Sequence, residues 1–234
     1  MKWLLMVMLA GLWGCAKPVV APGGISGQVK FTGKVADAVV VDMEQDPQCA
    51  KLHTEGRKKE ELVVVNADGT LVNAFVYIKG SVAGARYEAP TEAAVIDQKG
   101  CWFAPRVVGM QTGQSLQVTN SDPVTHNIHP QAQVNREWNQ SQAPEDGPLL
   151  RKFAKAEVMI GVKCNVHKWM RAWVGVVDHP FFAVTGAGGA FDWKNVPAGT
   201  YQVVAWHEKL GMRETTVVVP AGGKVNLEFR FSGE

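Results

Sequence analysis

The chain of 234 residues lacks the features that mark several common classes of protein. Its formal net charge is only +2 and it has no long basic run, so we expect no nucleic-acid partner. It has no C-x-x-C-H motif for covalent haem, no P-loop and no G-x-S-x-G nucleophile motif. Beyond its first residues, no apolar run is long enough to span a membrane.

The N-terminus differs in character from the rest of the chain. In MKWLLMVMLAGLWGC, one lysine precedes an apolar run too short to span a bilayer, which predicts an export signal over residues 1–14. The last four of these letters resemble the cleavage box of bacterial lipoproteins, and this resemblance implies that Cys15 is lipidated. An uncleaved or differently cleaved signal is the alternative. We therefore expect a bacterial envelope protein, periplasmic or at the cell surface, attached to the membrane through a lipid anchor.

Short β-type runs separated by turn residues follow a Pro- and Gly-rich tether at residues 15–24. Helical periodicity is weak throughout, so the sequence predicts an all-β protein. We divide it into an N-terminal β region at 25–94, which belongs to or packs onto the next part, a central domain at 95–178 and a C-terminal module at 179–234. We expect His179 and His207 to be hydrogen-bonded near the junction of the last two parts.

The C-terminal module carries the pattern G-x-F-x-(3)-P-x-G-x-Y, a signature of the transthyretin-like, carboxypeptidase-regulatory-like β-sandwich, which it resembles. The matching residues are Gly189, Phe191, Pro197, Gly199 and Tyr201. Such modules are commonly structural, so the resemblance implies a second small β-sandwich and says little about chemistry.

A central loop, KCNVHKWM, places Cys164, His167 and Met170 in the spacing C-x2-H-x2-M. Copper in an electron-transfer site takes two imidazoles and a thiolate, with a weak axial thioether. The second imidazole is available in THNIH, from His126 or from His129, and Asn127 could hydrogen-bond across to the loop. Zinc held by the cysteine and histidines is an alternative, but zinc has no use for the thioether.

CNVHKWMRAWVGVVD together with THNIH resembles the cupredoxins, the blue copper proteins, and most closely their amicyanin-type members. The resemblance covers residues 95–178 and implies a Greek-key β-sandwich that holds one type 1 copper. Carried over by position, the ligands are His126, Cys164, His167 and Met170, with His167 on the exposed side of the loop as the exit for the electron. The implied function is single-electron transfer between redox partners, such as a c-type cytochrome or a dehydrogenase.

The paired H-x-H or H-C-H motifs that multicopper oxidases and copper nitrite reductases need for their other coppers are absent, so we expect that the protein is not an enzyme. Two other functions remain open from the sequence. One is a copper carrier or storage protein that uses the same ligands, and the other is a metal-free structural or binding module of the envelope.

The four cysteines divide according to these expectations. If Cys15 carries lipid and Cys164 binds metal, Cys49 and Cys101 remain for a disulfide in an oxidising compartment. The alternative is that Cys49 and His53, four residues apart, share a metal ion on one helical face.

Overall fold

A computed structural model describes residues 20–35, 37–53, 59–60, 62–82 and 86–233. The predicted export signal, Cys15 and half of the predicted tether, residues 15–19, lie outside the described residues. Almost all regular structure in the described part of the chain is β-strand, which confirms the all-β prediction. Among the described residues, no helix has the length and hydropathy that crossing a membrane requires.

The strands form sheets with few helical turns between them. In chain order the elements are β1 (Gly23–Thr32), β2 (Val39–Val40), α1 (Pro47–Lys51), β3 (Lys59–Glu60), β4 (Phe75–Ile78), β5 (Ala94–Gln98), β6 (Phe103–Ala104), β7 (Val107–Gln111), β8 (Ser115–Asn120), β9 (His126–Pro130), β10 (Gln140–Gln142), β11 (Leu149–Lys152), β12 (Glu157–Lys163), β13 (Arg171–Val177), β14 (Phe182–Val184), the 3₁₀ turn η1 (Ala187–Gly189), β15 (Ala190–Val196), β16 (Gly199–His207), β17 (Gly211–Val219) and β18 (Lys224–Ser232).

The first sandwich consists of a sheet in the order β10-β9-β12-β13-β7 and a sheet in the order β11-β8-β5-β6. The alternation of buried and partly exposed residues along β8 and β12 turns one face of each strand inward. Leu116 and Val118 of β8 and Ile160 and Val162 of β12 join one apolar cluster, and the cluster also contains Cys164 and Met170. The predicted metal loop is therefore anchored in the core of this sandwich.

The second sandwich combines the beginning and the end of the chain. Its sheets have the orders β15-β1-β18 and β14-β4-β16-β17, with a second apolar cluster between them. Strand β1 pairs in parallel with β18 and antiparallel with β15, and β4 pairs with β14 and β16. The division at residues 94 and 178 stays a prediction, but β1 and β4 of region 25–94 pair with strands of the C-terminal module, while β2 and β3 pair with each other.

The motif of the C-terminal module lies within this second core. Phe191 and Tyr201 are buried there, and the Tyr201 hydroxyl donates a hydrogen bond to the Pro197 carbonyl at 2.8 Å. This bond fixes the bend between β15 and β16. The resemblance to transthyretin-like modules itself stays a prediction.

The two sandwiches share a third apolar cluster, in which Phe75 of β4 is completely buried. Its ring lies against two glycines that face each other in the register of β7 and β13, Gly109 and Gly175. A Cβ on Gly175 would stand 2.6 Å from atoms of the Phe75 ring, closer than side chains pack. The two glycines therefore create the space that lets the sheets approach each other.

Candidate metal centre

The candidate site lies at one end of the first sandwich. Strand β12 pairs with β9, so Cys164, just after β12, is brought to the end of the sheet that holds His126. The loop is closed by its own backbone: Cys164 N–H donates to the Met170 carbonyl at 3.2 Å, and Met170 N–H donates to the His167 carbonyl at 2.9 Å. With the loop closed in this way, two of its three predicted ligands, Cys164 and His167, lie near His126.

Three of the four predicted ligands converge at one buried point. The Nδ1 atoms of His126 and His167 are 2.9 Å apart, and Cys164 Sγ is 3.8 Å from His167 Nδ1. The ligand atoms of all three residues lie within 4.8 Å of one another. Two imidazole nitrogens and one sulfur are the donor set that suits copper.

Carboxylates fix the protons of both imidazoles. His126 Nε2 lies 2.8 Å from Asp122 Oδ2, and His167 Nε2 lies 2.9 Å from Asp46 Oδ2. The hydrogen bond from His167 lowers the pKa of Asp46, while for Asp122 the bond from His126 and backbone N–H groups outweigh burial and also lower the pKa. Because an ionised carboxylate only accepts hydrogen bonds, each Nε2 carries a proton, and each Nδ1 has a lone pair.

The two Nδ1 lone pairs consequently point at each other. Lone pairs at 2.9 Å repel unless a cation, either a proton or a metal ion, lies at that point. Burial lowers the pKa of His126, but the hydrogen bonds with Asp122 and Cys164 outweigh it, and the pKa is raised. The pKa of His167 is raised in the same way, by Cys164 and Asp46 against burial. The residues present therefore fit a positive ion held between two imidazoles and a sulfur.

Cys164 is prepared to act as a thiolate. Its burial disfavours the charged form, but hydrogen bonds with His126 and His167 and with backbone N–H groups outweigh this and lower its pKa to about 5. Among these donors is the His167 N–H, at 3.4 Å from Sγ. The thiolate is the form of cysteine that binds metals.

Asn127 joins the two segments of the site, as the sequence predicts. Its Oδ1 accepts a hydrogen bond from Asn165 N–H at 2.7 Å, and its Nδ2 donates to Asn139 Oδ1 at 2.7 Å. The ligand loop is thus attached directly to the strand that begins with His126.

Met170, the predicted axial ligand, is completely buried in the same apolar cluster as Cys164. His129, the other histidine considered from the sequence, is directed away from this point: its Nε2 lies 2.5 Å from Glu137 Oε1 and its Nδ1 lies 3.3 Å from Asn165 Oδ1. Residues three apart on a strand face opposite sides, which explains why His126 and His129 are separated.

The predicted disulfide is present between Cys49 and Cys101. A metal ion shared by Cys49 and His53 is therefore excluded as the explanation of that pair, because Cys49 is bonded to Cys101. His53 Nε2 instead lies 2.7 Å from the Gly100 carbonyl. The histidine thus supports the turn that carries Cys101.

The prediction that His167 is exposed is wrong, since only 2% of the residue is accessible. The start of α1 covers it through Asp46, and Cys49 Sγ lies 3.6 Å from its Nε2. On another side Trp169 packs with a ring-centroid distance of 5.2 Å and donates a hydrogen bond from Nε1 to the Cys101 carbonyl. A surface exit through the His167 edge is therefore closed.

Asp46 and Asp122 are the functional residues that the sequence did not reveal. Asp46 precedes Pro47, and an Asp-Pro pair is a signal for the N-cap and first position of a helix. That signal would have found α1, but nothing in the sequence places α1 over His167. Asp122 lies four residues before His126, a local spacing that could have been noticed.

Several solved structures of known proteins are similar to part of this chain. No protein-family model matches the chain, and the search of curated proteins finds no match. Among solved structures, it is similar to amicyanin from Paracoccus versutus (Thiobacillus versutus), at 17% identity over 43% of this chain and 96% of that chain, with a TM-score of 0.33. A purple cupredoxin from Nitrosopumilus maritimus is 19% identical over 36% of this chain and 97% of that chain, with a TM-score of 0.30.

A third similar structure is an enzyme, a copper-containing nitrite reductase from Thermus scotoductus. The identity is 16% over 42% of this chain, the TM-score is 0.34, and the chain spans 25% of the length of the reductase. The prediction that the protein is not an enzyme is contradicted by this finding. The absence of paired-histidine motifs from the sequence was not a sufficient basis for that prediction.

Proposed function

We propose that this chain binds one copper ion as a type 1 centre through His126, Cys164, His167 and Met170, and that it transfers single electrons. One observation carries the proposal: two Nδ1 lone pairs and a thiolate converge on one buried point, while carboxylates hold the protons on the opposite nitrogens. The donor set is the one that copper takes in electron-transfer sites.

The residues of the chain would hold and insulate the ion. When bound, copper would supply a one-electron couple that no side chain of the chain provides. Cys164 and Met170 are fixed within the apolar core of the first sandwich, and the backbone bonds of their loop hold both in place. Little reorganisation of the donors between oxidation states is expected from so constrained a loop, and the apolar surroundings of the sulfur tune the potential.

The cellular setting belongs to the same proposal. An export signal and a lipid on Cys15 would place the protein at the bacterial envelope. A redox protein, such as a c-type cytochrome or a dehydrogenase, would exchange electrons with it. Because His167 is covered, we expect such a partner to approach the site through the surrounding loops rather than through the imidazole edge.

The test is an optical and EPR spectrum of the purified protein after addition of Cu(II). We expect an intense visible absorption from thiolate-to-copper charge transfer, with narrow copper hyperfine splitting. Cys164→Ser removes the thiolate and is expected to remove the absorption, while circular dichroism shows that the protein stays folded. A Cys164→Ser protein with the same absorption would overturn the ligand assignment.

His129→Gln is the matched control, because His129 is the neighbouring histidine of the same strand and its ring is bound to Glu137. We expect this variant to keep the full absorption. A wild-type protein that stays colourless and binds no copper would overturn the proposed function as a whole.

A further inference from the structure

Hydrogen bonds and the disulfide form a closed ring of contacts that includes the two histidines of the centre. Cys49 N–H donates to Asp46 Oδ1 at 3.1 Å, and Cys101 N–H donates to Asp122 Oδ2 at 2.7 Å. The two cysteines are joined by the disulfide. Each aspartate therefore binds one half of the disulfide on one side and one imidazole on the other.

The two carboxylate oxygens of Asp46 accept hydrogen bonds from different partners. Oδ1 caps α1 by accepting from Gln48 N–H at 2.9 Å and from Cys49 N–H, and Oδ2 accepts from His167 Nε2. The helix cap orients the carboxylate, and the disulfide ties the helix to the sandwich. The position of Oδ2 against the imidazole is thus set from both sides.

We infer that Asp46 is a positioning residue for His167, held by the Cys49–Cys101 disulfide, and that it fixes the imidazole with its Nδ1 lone pair toward the metal. The inference rests on the proposed function and extends it. A histidine ligand generally donates its second N–H to a carboxylate, a carbonyl or water, and loss of such a partner costs about 10- to 100-fold in metal affinity. Asp46 supplies that partner from a segment remote in sequence.

Asp46→Asn separates the two tasks of the residue. The amide oxygen can still cap α1, but the amide nitrogen is a donor and cannot accept from His167 Nε2. We expect the Cu(II) affinity to fall about 10- to 100-fold. We also expect a higher reduction potential, because a carboxylate stabilises Cu(II) more than Cu(I).

Asp42→Asn is the matched control. Asp42 is an exposed aspartate of the same segment whose Oδ1 accepts from Glu44 N–H, a bond that an amide oxygen can keep. It makes the same change in net charge without touching His167. Equal affinities and potentials in Asp46→Asn and Asp42→Asn would overturn the inference, because a general charge effect would then explain both.

A measurement on the metal-free protein keeps the inference separate from the proposed function. Nitrogen NMR of the imidazoles reports which ring nitrogen carries the proton. We expect His167 to carry it on Nε2 in the wild type and in Asp42→Asn, and to lose this preference in Asp46→Asn. If the wild type bound no copper, the proposed function would fail while this result could still stand. If the wild type were coloured but the tautomer of His167 did not respond to Asp46→Asn, only the inference would fail.

Discussion

Four histidines in the described residues are almost completely buried, and they divide between two regions with opposite surroundings. His126 and His167 lie at the metal centre and are 0% and 2% exposed, whereas His179 and His207, with the second sandwich, are each 1% exposed. Burial is therefore the same in both regions. The difference lies in what each imidazole contacts.

At the centre, each imidazole contacts a carboxylate and the sulfur of Cys164, and its pKa is raised despite burial. In the second region, His179 donates from Nε2 to the Ile78 carbonyl at 2.9 Å and accepts at Nδ1 from Phe181 N–H. Burial lowers the pKa of His179 and of His207. The comparison teaches that anionic partners, and not burial, distinguish a histidine built to face a cation from one that only fills a core.

The largest expected effect comes from exchanging one histidine of each region for glutamine. His126→Gln removes one of the two convergent lone pairs, so we expect complete loss of the visible absorption of the copper-loaded protein. His207→Gln leaves the centre untouched and is expected to keep the absorption. It should instead lower the free energy of unfolding, because the buried ring accepts a hydrogen bond from Lys209 N–H at 3.3 Å.

Absorption titration with Cu(II) and urea unfolding of both variants check this pair. Loss of colour in His207→Gln at an intact fold would contradict the division of roles. So would a His126→Gln protein with unchanged copper binding.

The second-largest effect is expected from loss of the disulfide, which crosslinks residues in the region of the metal centre and not in the second sandwich. Replacement of Cys49 and Cys101 by alanine removes a crosslink between residues separated by 52 positions. On the chain-entropy relation this costs about 4 kcal/mol of unfolding free energy. Urea unfolding measures the loss. The double variant should be insensitive to a thiol reductant, whereas the wild type should lose similar stability when reduced, and equal stability in all these states would contradict the role as a brace.

How much of the fold and of the site could be predicted from the sequence depends on how far apart along the chain the interacting residues lie. Cys164, His167 and Met170 lie in one loop, so their spacing alone predicts a shared site. The disulfide also followed from counting cysteines. In contrast, Asp46 lies 121 residues from His167, and no local pattern indicates that the two meet.

The strand pairing was hidden for the same reason. Strand β1 pairs in parallel with β18 from Gly24 to Thr32, although nearly the entire chain separates the two strands. Alternation predicts that each is a strand but carries no information about its neighbour. The expectation that His167 is exposed was wrong because it was carried over from a resemblance that covers only residues 95–178, while the covering segment lies outside that range.

A smaller effect tests how firmly the two regions are joined. Gly175→Ala places a methyl group 2.6 Å from the Phe75 ring, and such overpacking costs about 1–3 kcal/mol. Gly161→Ala on the neighbouring strand is the control, because its nearest neighbour, Trp173, would be at 3.4 Å. Phe75→Leu in the Gly175→Ala background should recover part of the loss in a double-mutant cycle. An additive result would show that the ring and the glycine are not in contact.

The smallest effect is a pH dependence that belongs to the second region alone. The folded protein holds the pKa of His179 below its ordinary value of 6.5, because burial outweighs the opposing effects of backbone hydrogen bonds and Asp178. The unfolded chain then binds more protons than the folded one as the pH falls below about 6.5. The stability contributed by neutral His179 is present above that pH and is lost as the pH falls through the folded pKa, by at most about 1.4 kcal/mol per pH unit.

His179→Gln removes this titration while keeping a side-chain donor for the Ile78 carbonyl. We expect the unfolding free energy of the metal-free variant to depend less steeply on pH than that of the wild type between about pH 7 and about pH 5. Subtracting the two curves removes the contribution of the metal-centre histidines to the pH dependence. Their pKa values are raised, so their contribution to stability changes with pH in the opposite direction. A flat difference curve would contradict the lowered pKa, because it would mean that folding does not shift the pKa of His179. A wild type that gains stability as the pH falls would mean that His179 is stabilised as an imidazolium. It would then resemble the histidines of the centre, and anionic partners would no longer separate the two regions.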